Sequence, residues 1–242
     1  MDVGIIIDLE TTGLDPNVDQ IIEIGILEFS VDGEKSCKLL STYSALQEST
    51  NEIPTKITEL TGIDSEMLKD RNIDWGIVRK YLERASIVIA HNVDFDRSFL
   101  ERVEEISDLG LHWGCSLKHI NWHKHGFHTR ALNYLASDHG FVNPFSHRAI
   151  FDCATTFRLC TPYLDELIDK SYEREYELAA VGAAFDKKDQ LKEQGYLWDS
   201  KRRVWHKVVF QGDLEYERVF LTKDIYGGKS LHREEEIIRK KV

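Results

Sequence analysis

The stretch GIIIDLETTG, residues 4–13, constrains the chain more than any other. Three consecutive isoleucines are apolar and β-branched, and the run stops at a Thr-Thr-Gly turn signal, the pattern of a buried strand. Side chains on a strand alternate between its faces, so Asp8 and Glu10 share one face and Leu9 points back into the core. Two carboxylates side by side repel each other. Either both emerge into water where the strand ends, or a cation sits between them.

The next segments supply partners for that strand. IIEIGILEFS reads as a second strand, VDGEK as a turn centred on Asp-Gly, and SCKLLSTYSAL as a third strand, so the chain opens as a meander. PTKITELTGIDSEML reads as helix broken at Gly62, with Asp64 or Ser65 capping the helix beyond the break. WGIVRKYLERA is amphipathic, with Ile77, Val78, Tyr81 and Leu82 on one side. SIVIAHN is a short apolar strand. DFDRSFLERVEE predicts a helix with Phe95, Phe99 and Val103 at i, i+4 and i+8. HTRALNYLASDHG predicts a helix stopped by Gly140, and HRAIFDCATTFRLCTPYL a further one. Strands first, then strands alternating with helices, imply an α/β domain with a mixed sheet flanked by helices.

The charge-dense DELIDKSYEREYE places a domain boundary near residues 168–177. The expected division is a main domain over 1–170 and a small α+β domain over 178–242. In the latter, KKDQLKEQ is a short helix ended by Gly195, YLWDSKRRVWHKVVF a hairpin turning around DSK, and VFLTKDIY a further strand. The net charge of -11 is unevenly spread: residues 172–242 hold 15 basic and 14 acidic groups, the rest 16 and 28. An acidic first domain is a poor coat for long nucleic acid, which needs a basic footprint. Carboxylates gathered around divalent metals would account for some of the excess. The four cysteines show no CxxC spacing and read as reduced thiols. There is no signal-peptide pattern and no run near the ~20 apolar residues of a membrane span, so a cytoplasmic location without membrane contact is expected.

Two later stretches echo the first. SIVIAHNVDFD again delivers polar groups at a strand end, with Asp94 and Asp96 as candidate acids. HRAIFD sets His147 five residues before Asp152; on a helix that spacing turns through about 500°, so the two can border one site as proton acceptor and metal ligand. DLETTG, HNVDFDRSFL and HRAIFD, in this order, resemble the three motifs of the DEDDh exonucleases, in the DnaQ-like branch of the ribonuclease H-like fold. IIEIG and IPTKITELTGI are supporting echoes, and the resemblance covers about residues 3–165. It implies that Asp8, Glu10, Asp96 and Asp152 hold two Mg²⁺ or Mn²⁺ ions and that His147 is the general base, with Asp94 on a variable position. It further implies that Leu14 wedges between the last two bases and that backbone at Thr11 and Thr12 faces the terminal sugar. Leu60 and Thr61 would lie near the terminal base, and Asn92 would brace the site. For Leu14 and Leu60, plain core packing is the alternative. GCSLKHI departs from the threonine-bearing stretch usual between the second and third motifs.

The expected function is 3′–5′ exonucleolytic release of 5′-mononucleotides, in a setting such as DNA repair, with single-stranded DNA ends as the favoured partner and RNA as the alternative. A reading of another class is a catalytically silent, nucleic-acid-binding or polymerase-associated subunit. Two softer signals remain. WGCSLKHINWHKHGFH is rich in histidine, and His119 and His123 at i, i+4 have zinc spacing, although surface histidines fit the single cysteine better. KRRVWHK sets Lys201, Arg202, Arg203 and Lys207 beside Trp205, with Tyr196 and Trp198 upstream. The aromatics either stack on single-stranded nucleic acid or form the core of a small domain.

Overall fold

Strand β1 (Asp2–Thr11) lies at the centre of a five-stranded sheet, between β2 (Ile21–Val31) and β4 (Ile87–Ala90). β3 (Cys37–Leu46) and β5 (Trp113–Cys115) form the edges, giving the order β3-β2-β1-β4-β5. β1 to β3 pair antiparallel, whereas β1 with β4 and β4 with β5 pair parallel, so the sheet is mixed, as expected. The computed structural model describes residues 2–31 and 37–237; the expected VDGEK turn lies, beyond Val31, outside the described residues. The chain divides into two compact units, with the boundary between Ser171 and Tyr172.

In the first unit the helices are α1 (Thr55–Thr61), α2 (Ser65–Leu68), α3 (Trp75–Glu83), α4 (Val93–Leu100), α5 (Ser116–His119), α6 (Leu132–Asp138), α7 (Ala149–Cys160) and α8 (Leu164–Ser171). The strand alternation sorts β1 cleanly. Ile5, Ile7 and Leu9 pack with Val78, Leu82, Phe99 and Leu100 of α3 and α4, while Ile6 packs with Cys153, Leu159 and Leu167 of α7 and α8. Asp8 and Glu10 continue the Ile6 face and so open towards α7. A Cβ on Gly25 of β2 would lie 2.5 Å from the Ala149 carbonyl carbon, so only glycine lets the start of α7 come this close to the sheet. Gly62 takes a left-handed φ of 72° and ends α1, and the Asp64 carboxylate caps α2 by accepting the Met67 amide.

Several expected elements are corrected. α4 ends at Leu100 rather than running through Glu105: i→i+3 bonds such as Val103 N–H to Leu100 O break the helix into turns, although Val103 still packs on the core. Ile77 is exposed, so the buried stripe of α3 is Val78 and Leu82. β5 has only three residues, too short for an alternation signal.

The second unit is an antiparallel sheet of β6 (Glu175–Ala180), β7 (Leu197–Asp199), β8 (Val204–Phe210) and β9 (Arg233–Glu236), in the order β7-β8-β6-β9. Helices α9 (Lys188–Glu193) and α10 (Leu214–Phe220) accompany it, the latter continuing as a π-helical turn over Leu221–Ile225. VFLTKDIY is therefore helical, not a strand. Leu214, Leu221 and Ile225 form a buried stripe at helical spacing against Leu178, Tyr196 and Val209. Of the aromatics, Tyr196 is fully buried; Trp205 packs at the core edge, and Trp198, its ring centroid 5.5 Å from that of Trp205, is 49% exposed. Half of the basic run is committed within the unit. Arg202 donates to both oxygens of Glu177 at 2.7 Å and to Asp199 at 2.6 Å, and Lys207 pairs with Glu217 and donates to the Gln194 carbonyl at 2.7 Å. No helix among the described residues is long and apolar enough to cross a membrane.

Candidate active site

The end of β1 supplies Asp8 and Glu10, the first turn of α4 Asp96, and the first turn of α7 Asp152. Asp96 is buried, and its Oδ1 accepts the Leu9 amide at 3.0 Å, tying the second motif to the first across 87 residues. Asp152 accepts the His147 amide at 2.8 Å on one oxygen and the Asn143 side-chain amide at 2.6 Å on the other. Donor atoms of Glu10, His147 and Asp152 all lie within 4.8 Å of one another, a spacing that one cation can bridge.

Electrostatics show what these groups lack. Burial first, then the charges of Asp96, Asp152, Glu10 and Glu23, hold the Asp8 carboxyl well above the ordinary range. Glu10 is pushed up to about 8 by burial and then by Asp152, Glu23 and Asp96, with Arg148 opposing. Burial raises Asp96 to about 7, and raises Asp152 to about 6 against the His147 amide. The acids thus share a site with too little positive charge. Each holds its proton more tightly in the folded chain than in the unfolded one. From about pH 4, where unfolded carboxylates ionise, to about pH 8, the metal-free fold loses stability as pH rises. A divalent cation removes that cost where the acids are ionised. In thermal melts, Mn²⁺ is expected to raise Tm by about 4–8 °C at pH 8, equivalent to ~2 kcal/mol, and by much less at pH 5. An equal rise at both pH values would refute the link between cation and acids.

His147 is not on a helix, contrary to the expectation from the spacing. α7 starts at Ala149, Arg148 is extended, and His147 has a left-handed φ of 60°. The backbone bond from its amide to Asp152 fixes this conformation. Sequence reasoning missed three supporting residues. Asn143 holds Asp152, as above. His91, after β4, bonds Ser116 Oγ at 2.7 Å and the Arg130 carbonyl at 2.9 Å, and burial lowers its pKa to about 4, so it is a neutral brace. Glu23 is 1% exposed and paired with Arg148. Its signal was legible: one charge inside the apolar run IIEIGI.

The remaining candidates sort by exposure. Leu14 is 83% and Leu60 46% exposed, so neither serves core packing. Thr11 and Thr12 are buried; the Thr11 hydroxyl donates to the Gly13 carbonyl, and the Thr12 amide is taken by the Gln20 carbonyl at 2.9 Å. Thr61 is buried, its hydroxyl donating to the Ile57 carbonyl and accepting the Ile63 amide. Asn92 is exposed and begins α4 without a side-chain cap. Asp94 is exposed and pairs with Lys118. In the histidine-rich stretch His119 is buried at the end of α5, its Nδ1 accepting the Cys115 amide at 3.1 Å. It therefore shares no helix with His123 and is no surface histidine.

Three comparisons bear on this arrangement. The model of an exonuclease family, RNase_T, matches residues 5–160. The DNA polymerase III PolC-type of Thermotoga petrophila is 38% identical over 111 residues, 45% of this chain and 8% of that protein. The 3′-5′ exonuclease DinG of Staphylococcus aureus is 30% identical over 159 residues, 64% of this chain and 17% of that protein, so the chain spans only a small part of either relative's length. Among solved structures, the nuclease domain of 3′hExo, a DEDDh family member bound to rAMP, superposes with a TM-score of 0.55 at 15% identity, covering 68% of this chain and 92% of that one. That likeness shows the fold: the mixed sheet and its flanking helices are those of the ribonuclease H-like exonucleases.

Proposed function

The chain belongs to the RNase_T exonuclease family, and from that premise we propose that it is a metal-dependent 3′–5′ exonuclease releasing 5′-mononucleotides from single-stranded DNA ends. One observation carries the reading. Donor atoms of Glu10, His147 and Asp152 lie within 4.8 Å of one another, and burial raises the carboxyl pKa values of Asp8, Glu10, Asp96 and Asp152, with repulsion from the other acids adding to it at Asp8 and Glu10. The donor set of hard carboxylate oxygens fits Mg²⁺ or Mn²⁺, and the nearby cation, Arg148, is already paired with Glu23. Asp8, Glu10, Asp96 and Asp152 would hold two such ions, which when bound polarise the phosphodiester and make water a better nucleophile.

The chain's own groups do the rest. His147 takes the proton of the attacking water; the P–O3′ bond breaks, and the leaving 3′ oxygen is protonated from solvent. Asp152 and Asn143 hold the His147 segment in place. Leu14, exposed on the turn after β1, offers an apolar surface to the terminal base. The second unit is assigned an accessory part in substrate affinity. Exposed Trp198 supports stacking there, whereas the pairing of Arg202 and Lys207 argues for a small electrostatic share. DNA is preferred over RNA because one relative is named a DNA polymerase, while the rAMP held by a DEDDh neighbour keeps RNA as the alternative.

Matched single-stranded DNA, duplex DNA and RNA oligonucleotides labelled at the 5′ end provide the test. With Mn²⁺, single-stranded DNA is expected to shorten from its 3′ end one nucleotide at a time, about tenfold or more faster than RNA, with no cleavage in EDTA. Faster loss of RNA would make the protein an exoribonuclease. Intact oligonucleotides in every lane would make it a silent binding subunit.

A further inference from the structure

We propose that Glu23 is a positioning residue for His147, acting through Arg148 and the first turn of α7; this rests on His147 being the general base. Glu23 sits on β2, 125 residues before Arg148, and both of its carboxylate oxygens are used. One accepts Arg148 Nη2 at 2.9 Å and Nε at 3.2 Å; the other accepts Nε at 3.1 Å and the Ala149 amide at 3.0 Å. The Ala149 amide is the first free donor of α7, and no side chain from the helix's own N-cap satisfies it. A strand residue therefore supplies the cap that the local sequence lacks. Two residues along the same face of β2, Gly25 brings the backbone of Ala149 and Ile150 against the strand. The EIG triplet thus grips the start of α7 at two adjacent points.

His147 stands one residue before this grip in a backbone conformation that non-glycine residues seldom adopt. Its amide is fixed on one side by Asp152, and its successor is fixed on the other by Glu23. Releasing either end lets the imidazole leave its place by a rotation of one residue. The Glu23 carboxylate bonds Arg148 and the Ala149 amide, and through them it sets where the base stands.

Glu23→Gln and Arg148→Met remove the same ion pair from opposite ends, and steady-state cleavage of a 5′-labelled single-stranded DNA oligonucleotide with Mn²⁺ reads the result. Each is expected to lower kcat by about 10- to 100-fold with KM changed less than about threefold, the size of effect seen when a catalytic group is misplaced by an ångström. In a His147→Ala background, the same substitutions are expected to lower the residual rate by less than about twofold, since there is no base left to misplace. Unchanged kcat in Arg148→Met overturns the proposal. So does an undiminished loss in the His147→Ala background, which would mean that Glu23 acts on the acids or on the fold at large. If Glu23→Gln fails to fold, Arg148→Met decides, because the Arg148 side chain is 32% exposed whereas Glu23 is buried. A wild-type protein that cleaves nothing refutes the exonuclease reading itself, an outcome separate from either of these.

Discussion

Asp8→Asn is expected to abolish cleavage, lowering kcat by about 10³-fold or more, while making the metal-free protein harder to unfold. The two effects have one origin. Asp8 is held well above its ordinary range, through burial and through four carboxylate neighbours. Asparagine keeps the shape and removes the charge, so a cation ligand is lost and an unfavourable repulsion goes with it. In EDTA at pH 8 the variant's Tm should exceed the wild type's by about 2–6 °C, corresponding to ~1–2 kcal/mol. At pH 4, where the wild-type acids are themselves protonated, the gain should vanish. Added Mn²⁺ should stabilise the variant less than the wild type. Calorimetry and a single-turnover assay measure both effects. A variant that is inactive because it is unfolded in EDTA would remove Asp8 from the metal site.

His147→Ala is expected to slow cleavage by ~10²–10⁴-fold with Mn²⁺ affinity retained, the range for loss of a general base. The left-handed backbone at this position makes the choice of control important. Alanine disfavours that conformation, whereas asparagine visits it readily. His147→Asn should therefore match alanine in lost rate but melt closer to the wild type. The comparison separates missing chemistry from displaced backbone. A wild-type rate in either variant would reject the histidine as base.

Asp8 and Glu10 were legible because they end the apolar run GIIID; SIVIAHN left Asp94 and Asp96 both open, and the choice of Asp96, like the roles given to His147 and Asp152, came from the resemblance of the three motifs. Strand alternation alone put Asp8 and Glu10 on one face, and the structure turns that face towards α7. The mixed sheet followed from the order of strands and helices. The position of His147 did not follow, because counting residues assumes a helix that begins before it, and what delays the helix is Glu23 on a distant strand. Local pattern carries no information about a cap supplied across 126 residues. The C-terminal unit misled for a related reason. VFLTKDIY has the residue types of a strand, yet Leu221 and Ile225 are buried at a spacing of four, a period visible only with Leu214 included. Half of the basic run is neutralised by Glu177 and Glu217, 25 and 10 residues from Arg202 and Lys207, which a count of charges in KRRVWHK does not show.

The contact at Gly25 has a mechanical consequence. With backbone against backbone and no space for a methyl group, the long helix carrying Asp152 cannot slide or tilt on the sheet without parting the two. In the proposed enzyme this contact would hold Asp152 against the sheet through turnover. For the proposed reaction, room for an entering strand and a departing nucleotide would then come from the turn after β1 and the loop that ends in His147, where substitutions would alter turnover speed without moving Asp152.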